Sequence, residues 1–221
     1  MLININKPKG MTSHDVVDEI RNITKEQRVG HAGTLDPFAT GVLIVAVGRE
    51  DTKKLGQIAQ HTEKEYQAIL VLGKTSTTGD PEGEITISAQ GSRKKEITQD
   101  EIKAVLQKFK GEIIQIPPAF SAIKIKGVRA NKLARAGKIV KLPPRKITIH
   151  AIDILAYEYP LLQLEITCSA GTYIRSLAAD IGKELGCGAY VKELTRTRVG
   201  DFTIEDSSDI KSLRHMNEKK D

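Results

Sequence analysis

The stretch VGHAGTLDPFATG, residues 29–41, runs directly into VLIVAV, residues 42–47, and this junction decides how the rest of the chain is read. Residues 42–47 are apolar and rich in valine and isoleucine, the pattern of a strand buried on both faces. Residues 30–41 then form a loop bounded by Gly30 and Gly41 that abuts this strand, so Asp36 is a carboxylate held beside the core. Pro37 has a fixed φ and restricts the residue before it to extended backbone, which gives the Asp36 carboxylate a stiff mount. Rigid presentation suits a nucleophile. By residue type alone, the same Asp-Pro pair reads more readily as the N-cap of a short helix with Pro37 at its first position.

Outward from this junction, residues 2–5 read as a short strand, and Thr12 or Ser13 caps a helix with Val16, Val17, Ile20 and Ile23 on one face. Residues 7–11 are the loop between them. Residues 51–60 look helical, and residues 65–72 look like a strand with Tyr66, Ala68 and Leu70 on one side. Residues 73–83 read as loop. Thr98 and Glu101 match a capping box ahead of the apolar stripe Ile102, Val105, Leu106 and Phe109, with Gly111 suited to the helix C-terminus. Residues 145–169 are expected to form two long strands turning near Tyr159 and Pro160, followed by a helix from about 172 to 185 that Gly186 ends. Beyond Ser207 there is room for one short helix. No internal repeat occurs, and helices alternate irregularly with strands rather than in a βαβ rhythm, which favours an α+β fold.

A chain of 221 residues is long enough to bury a full core, and one domain with inserted arms is expected. Hydrophobic content of 39% and charged content of 28% are ordinary for a globular protein and give no case for a fibrous or disordered chain. No apolar run approaches the roughly 20 residues of a membrane-spanning helix, and MLININKPKG lacks the apolar stretch of a secretory signal, so a cytoplasmic protein is expected. Cys168 and Cys187 have neither CxxC spacing nor a histidine partner, which fits buried thiols better than a zinc site or a disulfide. The formal net charge is +6, unevenly spread. Between Ile113 and Ile152 there is no acidic residue but nine cations, so everything else carries 6 − 9 = −3. Lys124, Lys126, Arg129, Lys132 and Arg135 lead this run, continued by Lys138, Lys141, Arg145 and Lys146. An arm so charged releases counterions from RNA when it grips phosphates.

HAGTLDPFATG resembles the catalytic loop of the bacterial tRNA pseudouridine synthase B family, TruB. The similarity extends to NKPKGMTSHDVV at 6–17, KEYQAILVLG at 64–73, IPPAFSAIKIKG at 116–127 and CSAGTYIRSLAADIGKELGCGAYVKELTRTRVGDF at 168–202. These motifs cover most of the chain in the family's order. The resemblance implies a pseudouridine synthase fold: a mixed, mainly antiparallel sheet with flanking helices and an inserted basic arm, here about residues 118–146. It implies that the glycosidic bond of a flipped-out T-loop uridine of tRNA, position 55, breaks, the base rotates, and C5 is rejoined to the sugar. Asp36 is carried over as the essential carboxylate. Attack on the base, attack on the sugar and deprotonation of the sugar all remain open, and carboxylate nucleophilic catalysis is reasonable for either attack.

By the same resemblance Tyr66 stacks on the target base, which needs a flat partner once flipped, although by residue type it reads as a core tyrosine on a strand. Arg175 matches the arginine that pairs with the catalytic aspartate; alone it would read as a surface ion pair at a helix start. Tyr173 and Leu194 match uridine contacts. His31 reads as a satisfied loop histidine, a general base or an RNA contact, and the family favours the last. Lys9, in KPKG, matches a lysine near the active site. The family implies no metal and no organic cofactor, a tRNA T-arm as partner, no membrane, and a monomer.

LGKTS at 72–76 is a false lead, because the phosphate-loop pattern requires glycine where Ala68 stands. Thr77 replaces an aspartate common in the family, and Asn131 and Leu133 stand where its arm usually carries an aromatic. Family members typically continue into a small C-terminal PUA-type RNA-binding domain, which is expected to be absent here, leaving residues 1–221 as a single catalytic domain. Two other functions fit parts of the sequence: a non-catalytic tRNA-binding or folding protein on the same scaffold, and a nucleoside or glycoside hydrolase. Asp36, Tyr66 and Arg175 together argue against the first, and the lack of a second carboxylate in a comparable motif argues against the second.

Overall fold

A computed structural model describes residues 1–88 and 97–218. The elements begin β1 (Leu2–Lys7), α1 (Ser13–Thr24), β2 (Val29–Ala32), β3 (Thr40–Val47), α2 (Arg49–Thr52), α3 (Leu55–His61) and β4 (Lys64–Leu72). There follow β5 (Lys74–Ser76), β6 (Ile85–Ile87), α4 (Gln99–Gln107), β7 (Gly111–Gln115), β8 (Lys124–Ile125), β9 (Val128–Arg129) and α5 (Ala130–Arg135). The chain ends with β10 (Arg145–Glu158), β11 (Leu161–Cys168), α6 (Ile174–Glu184), β12 (Ala189–Val199), β13 (Phe202–Thr203) and α7 (Ile210–Glu218). Two compact units form, one of residues 1–67 with 194–221 and one of residues 68–193, with the boundaries inside β4 and β12.

In the first unit the sheet order is β1-β3-β12-β4. β3 is its centre, with residues 42–46 fully buried. It pairs antiparallel with β1 from Leu2↔Ala46 to Lys7↔Gly41, and antiparallel with β2 from Val29↔Val47 to Ala32↔Ile44. It also pairs in parallel with β12 through Thr195↔Thr40 and Arg196↔Gly41. The first three residues of the stretch read as a loop, 30–32, and its last two, Thr40 and Gly41, are therefore strand: Gly30 is unfavourable in a strand, but the ladder with β3 outweighs local preference. α1 begins as expected, with Thr12 accepting from Asp15 N and Asp15 accepting from Thr12 N, and it buries Val16, Val17 and Ile20. Hydrogen bonds from the Thr12 backbone N–H and the Thr12 side chain hold the Asp15 carboxyl below its usual value. The helix expected over 51–60 is instead two, α2 and α3, broken at Lys53 and Lys54.

In the second unit the order is β4-β11-β10-β7. β10 and β11 form the long hairpin expected around Pro160. β7 pairs with β10 from Gly111↔Ile149 to Gln115↔Arg145, so Gly111 opens a strand rather than closing α4. α4 has the expected capping box at Thr98, buries Ile102, Val105 and Leu106, and packs on β10 and α6. Residues 73–83, read as loop, contain β5, which pairs with β6. α6 buries Ile174, Leu177, Ala178 and Ile181.

Asp180 on α6 is half-buried, and desolvation raises its pKa, opposed by Lys183 and reinforced by Glu184. A raised folded-state pKa in an acid means that the folded chain binds the extra proton. Stability therefore falls as pH rises from the unfolded value of 3.8 through the folded one, and stays lower above it. Asp180→Asn is expected to raise Tm by about 1–2 °C at pH 7 and to leave it unchanged at pH values below 3.8, as thermal denaturation at the two pH values would read.

Candidate active site

Asp36 lies where the β3 edge changes partner. β2 leaves that edge at Ala32, the chain loops through residues 33–39, and β12 takes the edge at Thr40 and Gly41. No helix follows Asp36, so the helix-cap reading does not hold: Asp36 instead opens a turn in which its carbonyl accepts from Ala39 N at 3.1 Å. The residues on either side of it are pinned. Ser13 Oγ donates to Leu35 O at 3.1 Å and accepts from Leu35 N at 2.9 Å, and Gly10 N donates to Pro37 O at 2.8 Å. Lys7, with 0% exposure, donates from Nζ to Met11 O at 2.6 Å, to Pro8 O at 2.9 Å and to Pro37 O at 3.4 Å. A buried lysine is costly unless its donors are engaged, and here they tie the loop after β1 to the residue following Asp36.

Lys9, the lysine singled out in KPKG, is exposed; the one built into this loop system is Lys7. His31 sits on β2 opposite Val45, half-buried. Tyr66 is buried on β4 on the same side as Ala68, as the alternation implied, and Leu194 is buried on β12.

The second unit holds Tyr173 and Arg175. Arg175 is 4% exposed, which overturns the surface reading. Its guanidinium donates to Thr78 O at 2.9 Å and Phe120 O at 2.8 Å, and its NH1 lies 3.2 Å from Asp80 Oδ2. Asp80, also buried, accepts from Thr78 Oγ1 at 2.5 Å and from Glu82 N at 3.0 Å through Oδ1. Gly79 permits this closeness: its φ is +77°, and a Cβ there would lie 3.3 Å from Arg175 Cβ. Tyr173 caps α6, where the Gln115 side chain donates to its carbonyl at 3.1 Å and accepts from its N–H at 2.8 Å. Arg145 Cζ stands 5.4 Å from the Tyr173 ring centroid, a cation–π contact.

The basic arm forms the short hairpin β8–β9 and α5. Lys124, Lys126, Arg129, Lys132, Arg135, Lys138 and Lys141 are exposed, and no carboxylate among the described residues pairs with them. Lys146 differs: it donates to Glu112 at 2.8 Å across β10 and β7, which raises its pKa. Among the described residues, no group of three or more His, Cys, Asp or Glu side chains is placed to hold a metal ion, and no helix is long and apolar enough to cross a membrane.

The model of the TruB family pseudouridylate synthase N-terminal domain matches residues 21–174, and that of the tRNA pseudouridylate synthase B C-terminal domain matches residues 175–221. The chain belongs to the TruB family. TruB relatives named tRNA pseudouridine synthase B include that of Dehalococcoides mccartyi strain CBDB1, 46% identical over 96% of this chain and 69% of its own length. The Clostridium tetani relative is 44% identical over 98% of this chain and 73% of its own. Among solved structures, a Cbf5–Nop10–Gar1 complex matches with a TM-score of 0.74 and 33% identity over 97% of this chain. An H/ACA ribonucleoprotein bound to a substrate RNA containing 2′-deoxyuridine matches at 0.71 and 31%. This TruB chain spans about half the length of those two solved chains, 53% and 52%.

Of the residues that hold these groups, Lys7, Ser13, Asp80 and Gln115 escaped the sequence reading. Lys7 and Ser13 lie inside the quoted family motif at 6–17, and their burial was the missing information. Asp80 stands in TTGDPEG, where a carboxylate before proline looks like an ordinary turn residue. Gln115 carries no local signal at all.

Proposed function

We propose that this chain isomerises the T-loop uridine at position 55 of tRNA to pseudouridine, with Asp36 as the nucleophile and without a metal or organic cofactor. The observation that carries the reading is a single carboxylate mounted in a loop pinned at Leu35 and Pro37, in a chain of the TruB family. Positioning to a fraction of an ångström is what a covalent step on a flipped base requires. The carboxylate adds to the substrate as the C1′–N1 bond breaks; the freed base turns, C1′ joins C5, the bond to the carboxylate breaks, the C5 proton is lost and N1 gains one, so Asp36 is regenerated and the product is an isomer. Tyr66 gives the flipped base a flat partner, Tyr173 and Leu194 line its other sides, Arg175 orients the reacting carboxylate, and His31 and Lys9 touch RNA near the loop. This reading treats residues 1–221 as one catalytic domain and residues 118–146 as its RNA-binding insertion, in a cytoplasmic monomer.

The test is incubation of the purified protein with an unmodified tRNA transcript, followed by chemical mapping of pseudouridine. One modification, at position 55, is expected; a transcript that stays unmodified while it binds would replace this reading with the non-catalytic one. The arm adds a prediction about binding. Each of Lys124, Lys126, Arg129, Lys132 and Arg135 changed to Ala should weaken tRNA binding and lower the slope of log K against log salt by about 0.7–1. Lys146→Ala should leave the slope unchanged, because its charge is already matched by Glu112. Titrations over a salt series would show this, and no tRNA association even at low salt would sink the arm's role.

A further inference from the structure

Arg196 on β12 has no part in the function just proposed, yet it is the largest of the fully buried side chains, 1% exposed. No carboxylate among the described residues pairs with it. Burying a guanidinium without a counterion is expensive, and an apolar side chain of similar volume would stabilise the core better. Stability alone therefore does not account for an arginine at this position.

Its hydrogen bonds do. Arg196 Nε donates to Val42 O at 2.8 Å, and NH2 donates to Gly33 O, also at 2.8 Å. These two carbonyls stand at opposite ends of residues 34–41, the segment that carries Asp36. A guanidinium is a planar, rigid fork, so donating through two of its nitrogens fixes the separation of the two carbonyls as well as their direction. The strand bearing the fork is itself seated against the loop's exit. Arg196 pairs with Gly41 in the parallel ladder, Thr195 Oγ1 lies 2.9 Å from Thr40 Oγ1, and a Cβ at Gly41 would fall 2.2 Å from Arg196 O. Only glycine, with φ +99°, fits there.

We propose that Arg196 is a positioning residue for the reaction: its guanidinium clamps the two ends of the Asp36 loop at a fixed spacing and so sets where the nucleophile stands. Ser13 and Gly10 hold the middle of the loop; Arg196 holds its ends. The proposal rests on Asp36 being the nucleophile of a pseudouridine synthase.

The experiment is single-turnover pseudouridine formation on a T-arm RNA, with wild type, R196K and R196M, alongside RNA binding titrations and Tm. Lysine keeps the charge without the fork, and methionine keeps neither. Both variants are expected to lose about 100-fold in the single-turnover rate, the usual effect of a misplacement of about 1 Å, with RNA affinity kept within about 3-fold. A wild-type rate in either folded variant overturns the proposal, as does a loss of rate matched by an equal loss of RNA affinity. Should both variants fail to fold, NMR of the wild-type protein decides: the Arg196 Nε–H is expected to be protected from solvent exchange, and a freely exchanging Nε–H overturns the clamp. A wild type that makes no pseudouridine overturns the activity reading instead, whereas an active wild type with an equally active R196K overturns this inference alone.

Discussion

Asp36→Ala is expected to lower pseudouridine formation below about one part in 10⁴ of wild type, the scale on which removal of a covalent nucleophile is felt, and to leave tRNA affinity within a few-fold. The structure explains why the two effects should separate. The described contacts that hold the loop in place run through backbone groups: Leu35 N and O to Ser13, Pro37 O to Gly10 and Lys7, and Asp36 O to Ala39 N. All survive truncation of the Asp36 side chain. Binding should come mostly from the exposed cations of the arm, which are far from this loop in sequence and are untouched. Asp36→Asn sharpens the comparison, because it keeps the shape and replaces the charged, nucleophilic carboxylate by a neutral amide. Rate constants for both variants on one T-arm RNA would check this, and an Asn variant within about 10-fold of wild type would mean that the carboxylate orients or binds rather than attacks.

Much of the fold was legible because its signals are local. The capping box at Thr98 states one helix start outright, Thr12 or Ser13 places another to within a residue, and the alternation of Tyr66, Ala68 and Leu70 marks a half-buried strand. What stayed hidden depends on distant partners. β2 is a strand because β3 completes its ladder, and its own residues argue for a turn. β5 is three residues long and exists by pairing with β6. Among the site residues, the motif that contains Asp36 was readable, but its supports were not. Ser13 reaches across 22 residues to Leu35, and Arg196 across 154 to Val42. Lys7 and Lys9 are alike as residue types two apart in the stretch read as a loop; only the extension of β1 to Lys7, whose pairing with β3 turns that side chain inward, distinguishes the buried lysine from the exposed one.

Asp80→Asn should destabilise the fold by about 1–3 kcal/mol, because it removes the charge 3.2 Å from a guanidinium that stays buried. Side-chain exposure of 4% on both partners puts the pair beyond the screening that makes surface ion pairs nearly worthless. An asparagine still accepts from Thr78 and Glu82 N through one oxygen, so the loop's own turn survives; what it turns toward Arg175 is an amide N–H₂ in place of an anion. At about 2–4 °C per kcal/mol for a chain of this size, Tm should fall by roughly 5 °C. The double variant Asp80→Leu with Arg175→Met separates support from chemistry. Replacing both partners by apolar side chains is often neutral or stabilising, so it should recover most of the lost Tm, while pseudouridine formation stays at least about 100-fold down because Arg175 is gone. Recovery of stability without recovery of rate would mean that the pair is kept for what the guanidinium does at the substrate. Recovery of both would reduce it to a replaceable strut between the β5–β6 hairpin and α6.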